Sequence, residues 1–258
     1  MLRVFIADDE APARARLREL LEDIMHEAPT QVVGEARNGV ETIERLPQSG
    51  AEVLLLDIEM PGMHGLEVTR HLARLSDAPA VIFVTAHDRH AVDAFELNAL
   101  DYLLKPVRSA RLAVALKRAA ATGAPSAQVL ESAAEQVREA DGRGRSHFSL
   151  AERNRIVLVP VADVVYLKAE QKYVTLRTHE REHLIDESLT SLEREFGERF
   201  VRIHRNCIVA KDAVRGFERA PTPEDEETHW LVVLEGVAER LPVSRRQWAS
   251  VRALVAQK

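Results

Sequence analysis

The chain is poor in cysteine: Cys207 is the only one in 258 residues. That excludes an internal disulfide and fits a reducing compartment. Long apolar runs are missing too, since no stretch approaches the roughly 20 consecutive apolar residues that a membrane-spanning helix needs. The N-terminus, MLRVFIADDE, holds a short apolar run from Val4 to Ala7 before three acids, so it does not read as a signal peptide. The expectation is a cytoplasmic protein that does not engage a membrane. A large basic excess is also absent. The net charge is −6; residues 1–121 carry 14 Lys and Arg against 19 Asp and Glu, and residues 147–258 carry 18 against 18. Bulk charge therefore does not point to nucleic acid, and any such role must come from where the arginines lie.

What is present describes an ordered globular chain, 46% hydrophobic and 29% charged, long enough for two ordinary domains. The first half alternates short runs rich in Val, Ile and Leu (2–7, 31–36, 52–57, 80–85 and 101–105) with segments of helical period. In 11–27, Ala13, Leu17, Leu20, Leu21 and Ile24 share one face, and 38–46, 65–75, 90–97 and 109–121 read similarly. Five such β/α units with continuous apolar strands imply a parallel sheet covered by helices on both faces. Ligands of such sheets bind beyond the carboxyl ends of the strands.

The pattern breaks at residue 122. TGAPS is a turn signal, 127–140 reads as one further helix, and DGRGRS is a connector, so 122–146 is expected to be a linker. Residues 147–258 are mostly short β-type runs. A helix is expected over 188–196, where Leu189, Leu192 and Phe196 share a face, and a closing helix over 244–257; 220–228, with its acids and prolines, reads as a solvated loop.

The strand ends of the first half carry Asp8 and Asp9, Asp57, Thr85 and Lys105. Converging carboxylates repel one another, so a proton or a cation is expected among them. Carboxylate oxygens are hard ligands suited to Mg²⁺. With that charge neutralised, Asp57 becomes a nucleophile toward phosphorus, while Lys105 supplies positive charge and Thr85 a hydrogen bond. No histidine or glutamate stands at a strand end to activate water strongly, so the set reads as a phosphate acceptor and not as a complete turnover enzyme. Acids at strand ends also serve as helix N-caps, and for any one of these residues that reading competes.

Jointly, Asp8-Asp9-Glu10, LLLDIEMPGMHG (54–65), VTA (84–86) and LKP (104–106) resemble the signature of bacterial response-regulator receiver domains, over about the first 120 residues. The resemblance implies a doubly wound, flavodoxin-like fold for 1–121 and Asp57 as phosphoacceptor from a sensor histidine kinase. It implies Mg²⁺ held by Asp9, Asp57 and the backbone carbonyl of Glu59, with Asp8 acting through water, and a cis bond before Pro106. Thr85 and Tyr102 become switch residues, and Ala91, Phe95, Leu97 and the last strand a homodimer surface. Glu59 and His87 flank the site and are expected to tune phosphate lifetime. A phosphatase using Asp57 for turnover is the runner-up; it would want a second aspartate where Glu59 stands.

VVYLKAEQKYVTLRT (164–178) and LTSLEREFGERFVRIHRNCIVA (189–210) are similar to the central blocks of LytTR DNA-binding domains. The whole chain then resembles the LytR/AlgR family, with VVYLKAEQKYVT similar to the alginate-regulator branch in particular. By this resemblance, loops of 147–258 enter successive major grooves of double-stranded promoter DNA and regulate transcription. Lys168, Gln171, Lys172, Arg202, Arg205, Asn206, Arg245 and Arg246 are the candidate contacts. Arginine reads guanine, Asn or Gln reads adenine, and lysine neutralises phosphate. Lys172, Arg205, Asn206 and Arg245 are expected to be principal, Lys168 and Arg246 to touch phosphates. Asn206-Cys207 and Ala210 depart from the residues common at those positions, which leaves the reading face open. His204 and Cys207 read as packing residues. A protein-interaction module, or a DNA binder indifferent to phosphorylation, are the alternatives for this half.

Overall fold

The computed structural model describes residues 1–72, 75, 77–86, 101–122, 145–152, 155–170, 172–222 and 225–255. The helices expected at 90–97 and 127–140, with His87, Ala91, Phe95, Leu97 and Gln171, lie outside them. The chain divides into two compact units, Met1–Leu158 and Val159–Lys258.

The first unit runs β1 (Leu2–Ala7), α1 (Ala11–Asp23), β2 (Thr30–Ala36), α2 (Gly39–Ser49), β3 (Val53–Leu56), α3 (Gly65–Leu72), β4 (Ala80–Thr85), β5 (Asp101–Leu104) and α4 (Ser109–Thr122). The sheet has the order β2-β1-β3-β4-β5 and every pair is parallel. β3 shows why its strands are unbroken apolar runs. Leu54 and Leu56 enter a core with Ile43 and Leu46 of α2 and Leu66 and Leu72 of α3. Val53 and Leu55 enter the opposite core, with Leu17 and Leu20 of α1 and Leu112 and Leu116 of α4. Alternate side chains are thus covered on both faces, each buried leucine contributing roughly 1.5–3 kcal/mol.

Two helix limits differ from expectation. α1 stops at Asp23 rather than 27, and an irregular turn closed by Ala28 N–H to the Ile24 carbonyl (2.8 Å) leads into Pro29, before which helix is disfavoured. α2 runs to Ser49 rather than 46 and ends at Gly50, whose φ of 60° is the left-handed conformation glycine supplies at helix ends. The unit closes with part of a hairpin, β6 (His147–Glu152) and β7 (Arg155–Pro160), and the boundary between the units falls inside β7. Ile156 and Leu158 pack against the core that holds Ile58 and Leu66.

The second unit is mostly β: β8 (Val164–Glu170), β9 (Tyr173–Thr178), β10 (Glu182–Ile185), α5 (Leu189–Phe196), β11 (Phe200–His204), β12 (Cys207–Ala210), β13 (Val214–Thr222), β14 (Asp225–Leu234), β15 (Leu241–Val243) and α6 (Trp248–Val255). Two antiparallel sheets result, ordered β10-β9-β8-β12-β11 and β13-β14-β15. α5 appears where its spacing placed it, with Leu189, Leu192 and Phe196 buried and Ser188 capping Ser191 N–H. The expected solvated loop at 220–228 is instead largely paired backbone, in register from Arg219↔Trp230 to Pro221↔Thr228 and, after a register shift, at Thr222↔Asp225. β13 lies at the edge of its sheet, where the missing N–H of Pro221 is tolerated. The closing helix begins at Trp248, not 244. The N–H of Ser244 is spent on the Ile203 carbonyl at 2.8 Å, and Ser244–Gln247 form a turn closed by Gln247 N–H on the Ser244 carbonyl at 3.0 Å. Among the described residues no helix is long and apolar enough to cross a membrane.

Candidate functional site

In the first unit, β1, β3, β4 and β5 are successive strands of one parallel sheet, so their carboxyl ends meet at one edge. The backbone ladder carries on past the strands and pins the residues just beyond them. Asp57 N–H donates to the Ala7 carbonyl at 2.8 Å, Asp8 N–H to that of Ala36 at 3.1 Å, and Lys105 N–H to that of Thr85 at 2.9 Å. Asp8, Asp9 and Asp57 then offer carboxylate oxygens within 4.8 Å of one another. Asp8 and Asp57 are buried and Asp9 is exposed.

Lys105 Nζ enters this cluster, 2.7 Å from Asp57 Oδ2 and 2.8 Å from Asp8 Oδ2, with Glu10 Oε2 at 4.0 Å. The peptide bond from Lys105 to Pro106 is cis. Asp8 Oδ1 accepts from Glu10 N–H at 2.9 Å and Asp57 Oδ1 from Glu59 N–H at 3.3 Å. Burial pushes the Asp8 carboxyl above its usual range, against the bonds from Lys105 and from the Glu10 backbone. Burial alone would lower Lys105; the bonds to Asp57 and Asp8 outweigh it and hold the ammonium above its ordinary value. Three carboxylates against one ammonium leave the edge two charges short of neutral, a donor set of hard oxygens that fits a small divalent cation.

Thr85 is buried at the end of β4. Tyr102 is half-buried in β5 opposite Phe83, packed against the core that contains Leu56 and Ile58, the neighbours of Asp57. Glu59 directs its carboxylate to within 3.6 Å of His64 Nδ1. Sequence reasoning missed Gly65. This first residue of α3 donates its N–H to the Ile58 carbonyl at 2.8 Å, and a Cβ on it would be driven into the backbone carbonyl of Asp57. The glycine in LLLDIEMPGMHG that stands where a helix begins was the available signal.

In the second unit, three connections gather at one end of the five-stranded sheet. β8 and β12 are antiparallel with Lys168↔Cys207 paired, so the β8–β9 turn and the β11–β12 turn share an end, joined by Ala169 N–H on the Asn206 carbonyl at 2.7 Å. The Ser244–Gln247 turn joins them through its bond to Ile203. Lys172, Arg205, Asn206, Arg245 and Arg246 are thereby brought together by backbone topology, and all but Asn206 are exposed. Lys172 Nζ stands 5.8 Å from the Tyr173 ring centroid.

The sheet end is not uniformly basic. Lys168 Nζ pairs with Glu170 Oε1 at 2.8 Å and with Glu239 Oε1 at 3.4 Å, and the other oxygen of Glu239 accepts from the Tyr166 hydroxyl. Tyr166 is buried, and burial together with that bond pushes its phenol well above the usual value. Arg202 pairs with Glu193 of α5. None of these three pairings was anticipated. Cys207 is buried and its thiol is pushed up to about 12 by burial, which fits the packing role expected of it.

Comparison with known proteins finds two family models along the chain. Residues 4–117 match the response regulator receiver domain and residues 154–256 the LytTr DNA-binding domain. The positive alginate biosynthesis regulatory protein of Pseudomonas aeruginosa is 41% identical over 257 residues, covering 99% of this chain and 100% of that one. The sensory transduction protein LytT of Bacillus subtilis is 28% identical, covering 99% of each chain. The transcriptional regulatory protein YpdB of Escherichia coli is 26% identical, covering 98% of this chain and 99% of its own.

Proposed function

Because the chain belongs to the LytR/AlgR family of response regulators, in which a receiver domain precedes a LytTR DNA-binding domain, we propose that Asp57 is its phosphoacceptor and that the three loops at the sheet end are its DNA-reading surface. The turnover phosphatase reading falls with that membership. We assign 1–121 to the receiver, 122–146 to the linker and 147–258 to the DNA-binding domain.

The observation that carries the first part is the placement of Lys105 Nζ between Asp57 and Asp8. A sensor histidine kinase donates the phosphoryl group: its P–N bond breaks as a P–O bond to the Asp57 carboxylate forms. Asp57 is held for this by its backbone bond to Ala7 and by the leucines before it, so that the carboxylate waits in one position. Lys105 meets charge on the phosphoryl oxygens, and Thr85 is the hydrogen-bond donor on the neighbouring strand. Mg²⁺ fits the donor set of Asp8, Asp9, Asp57 and the Glu59 backbone carbonyl, and when bound it supplies positive charge to the phosphoryl oxygens. Thr85 and Tyr102 are the residues that respond, since Tyr102 shares its core with the neighbours of Asp57.

On DNA, Lys172, Arg205, Asn206, Arg245 and Arg246 are the contacts the sheet-end geometry supports. The protein acts in the cytoplasm, as a homodimer on repeated promoter elements. The test is direct. Incubated with a small-molecule phosphodonor and Mg²⁺, the protein should gain one phosphoryl group by intact mass, removed by hydroxylamine as an acyl phosphate is, and Asp57→Asn should gain none. Equal labelling of Asp57→Asn would remove Asp57 from the role.

A further inference from the structure

The β11–β12 turn offers Arg205 and Asn206 at the sheet end, and behind that turn stands Arg202. Its side chain is only 16% exposed. Nε donates to Glu193 Oε2 at 2.6 Å, and Nη1 donates to the backbone carbonyl of Arg205 at 2.8 Å. One guanidinium thus ties helix α5 to the peptide of the exposed turn. α5 is a fixed support, because Leu189, Leu192 and Phe196 bury its inner face. The other limb of the turn is tied as well, through a bond between His204 Nδ1 and Asn206 Oδ1. Between these ties β11 carries a register shift, from Arg202 to His204, and bulged strands re-aim the residues beside them.

We infer that Arg202 is a positioning residue, not a DNA contact: with Glu193 it braces the Arg205–Asn206 turn in the shape in which that turn reads a duplex. This rests on the reading of the second unit as a DNA binder. A guanidinium holds these two partners in fixed directions through its rigid planar fork, and a lysine ammonium, a single point charge on a flexible stem, does not reproduce that geometry. The brace also gives Glu193 a role opposite in sign to its charge. An acid near a DNA-reading surface repels phosphate, so on electrostatic grounds its removal strengthens binding. As part of the brace, its removal weakens specific binding.

The experiment uses the full chain, a duplex enriched by selection from random sequence, and an unrelated duplex of equal length. Each is titrated across a series of salt concentrations. Glu193→Gln and Arg202→Lys should each weaken the selected duplex by about 10-fold, the scale of one misplaced base contact. Both should leave the unrelated duplex and the salt slope unchanged, and the double variant should be no weaker than either single one. Arg246→Gln is the phosphate-contact control and should lower the slope by about 0.9, the value for one lost phosphate charge. Because Arg202→Lys keeps the charge, it also separates the two roles if Arg202→Gln fails to fold: a phosphate contact survives that change and a brace does not. Tighter binding by Glu193→Gln to both duplexes, or full binding by Arg202→Lys, would overturn the inference. Absence of any salt-dependent duplex binding by the unsubstituted protein would overturn the DNA-binding reading itself, and the brace with it.

Discussion

Lys105 Nζ stands 2.7 Å from Asp57 Oδ2, although β3 and β5 are not neighbours in the sheet and β4 runs between them. The lysine reaches across the edge of β4 and closes the acidic cluster from the far side. Lys105→Gln keeps a polar side chain but removes the charge aimed at the phosphoryl oxygens. Phosphate acceptance by Asp57 should slow by a factor on the order of 10², the typical cost of losing one placed electrostatic donor. Stopped-time labelling with a small phosphodonor reads it; a change within a few-fold would mean the lysine only balances charge at rest.

Gly65 is packed against the carbonyl of Asp57 with no room for a side chain. Gly65→Ala must push the start of α3 away from that carbonyl or move Asp57 itself. Overpacking of this kind costs about 1–3 kcal/mol, so the urea midpoint should fall and phosphate acceptance with it. A variant as stable and as readily phosphorylated as the native chain would contradict the close approach.

Glu67 of α3 holds the chain where the linker ends and β6 begins. Its carboxylate accepts from Ser146 N–H at 2.7 Å, Ser146 Oγ at 2.9 Å and His147 N–H at 3.0 Å, and lies 3.4 Å from His71 Nε2. Burial acts to raise this carboxyl, but the bonds from His71, Ser146 and His147 outweigh it and hold the group below its ordinary value of 4.5. A depressed carboxyl contributes stability above the unfolded value, and that contribution is lost as pH falls through the folded one. Glu67→Gln should therefore destabilise the protein by about 1–3 kcal/mol at pH 7, with the gap closing below pH 4.5. His71 is pushed below its usual 6.5 by burial. The unfolded chain takes up that proton first, so both proteins lose stability below about pH 6.5. Urea unfolding across a pH series checks this; a gap that stays constant down to pH 3 would remove Glu67 as its source.

Lys168 is already paired with Glu170 and Glu239. Although its position among the strand-end bases suggested a phosphate contact, Lys168→Ala should change the salt slope of duplex binding by much less than one, while Lys172→Ala should lower it by about 0.9. Equal slopes lost in both variants would restore Lys168 as a contact.

Much of the first unit was legible because both faces of its sheet are covered. Strands of that kind read as unbroken apolar runs, and the residues where the runs stop, Asp8, Asp57, Thr85 and Lys105, are the ones a parallel sheet gathers at one edge. Gly65 escaped notice because its constraint comes from a backbone oxygen eight positions away, which leaves no periodic trace. The paired backbone around Pro221 was hidden because proline and acids spell a loop unless the strand lies at an edge. Arg202 and Lys168 show a different blindness. An arginine or lysine beside a turn looks the same in sequence whether it faces a phosphate or a carboxylate, and Glu193 and Glu239 reach them through tertiary contacts alone.

The central claim is that phosphate on Asp57 controls a duplex reader at the sheet end of the second unit. The measurement that tests it most directly is selection of bound sequences from random duplex DNA in Mg²⁺, with and without a phosphoryl mimic on Asp57, alongside Asp57→Asn. A short element enriched as a spaced pair, more strongly with the mimic and not in Asp57→Asn, is the result expected. Equal enrichment in all samples would contradict control by Asp57, and no enrichment in any would contradict the DNA-reading surface.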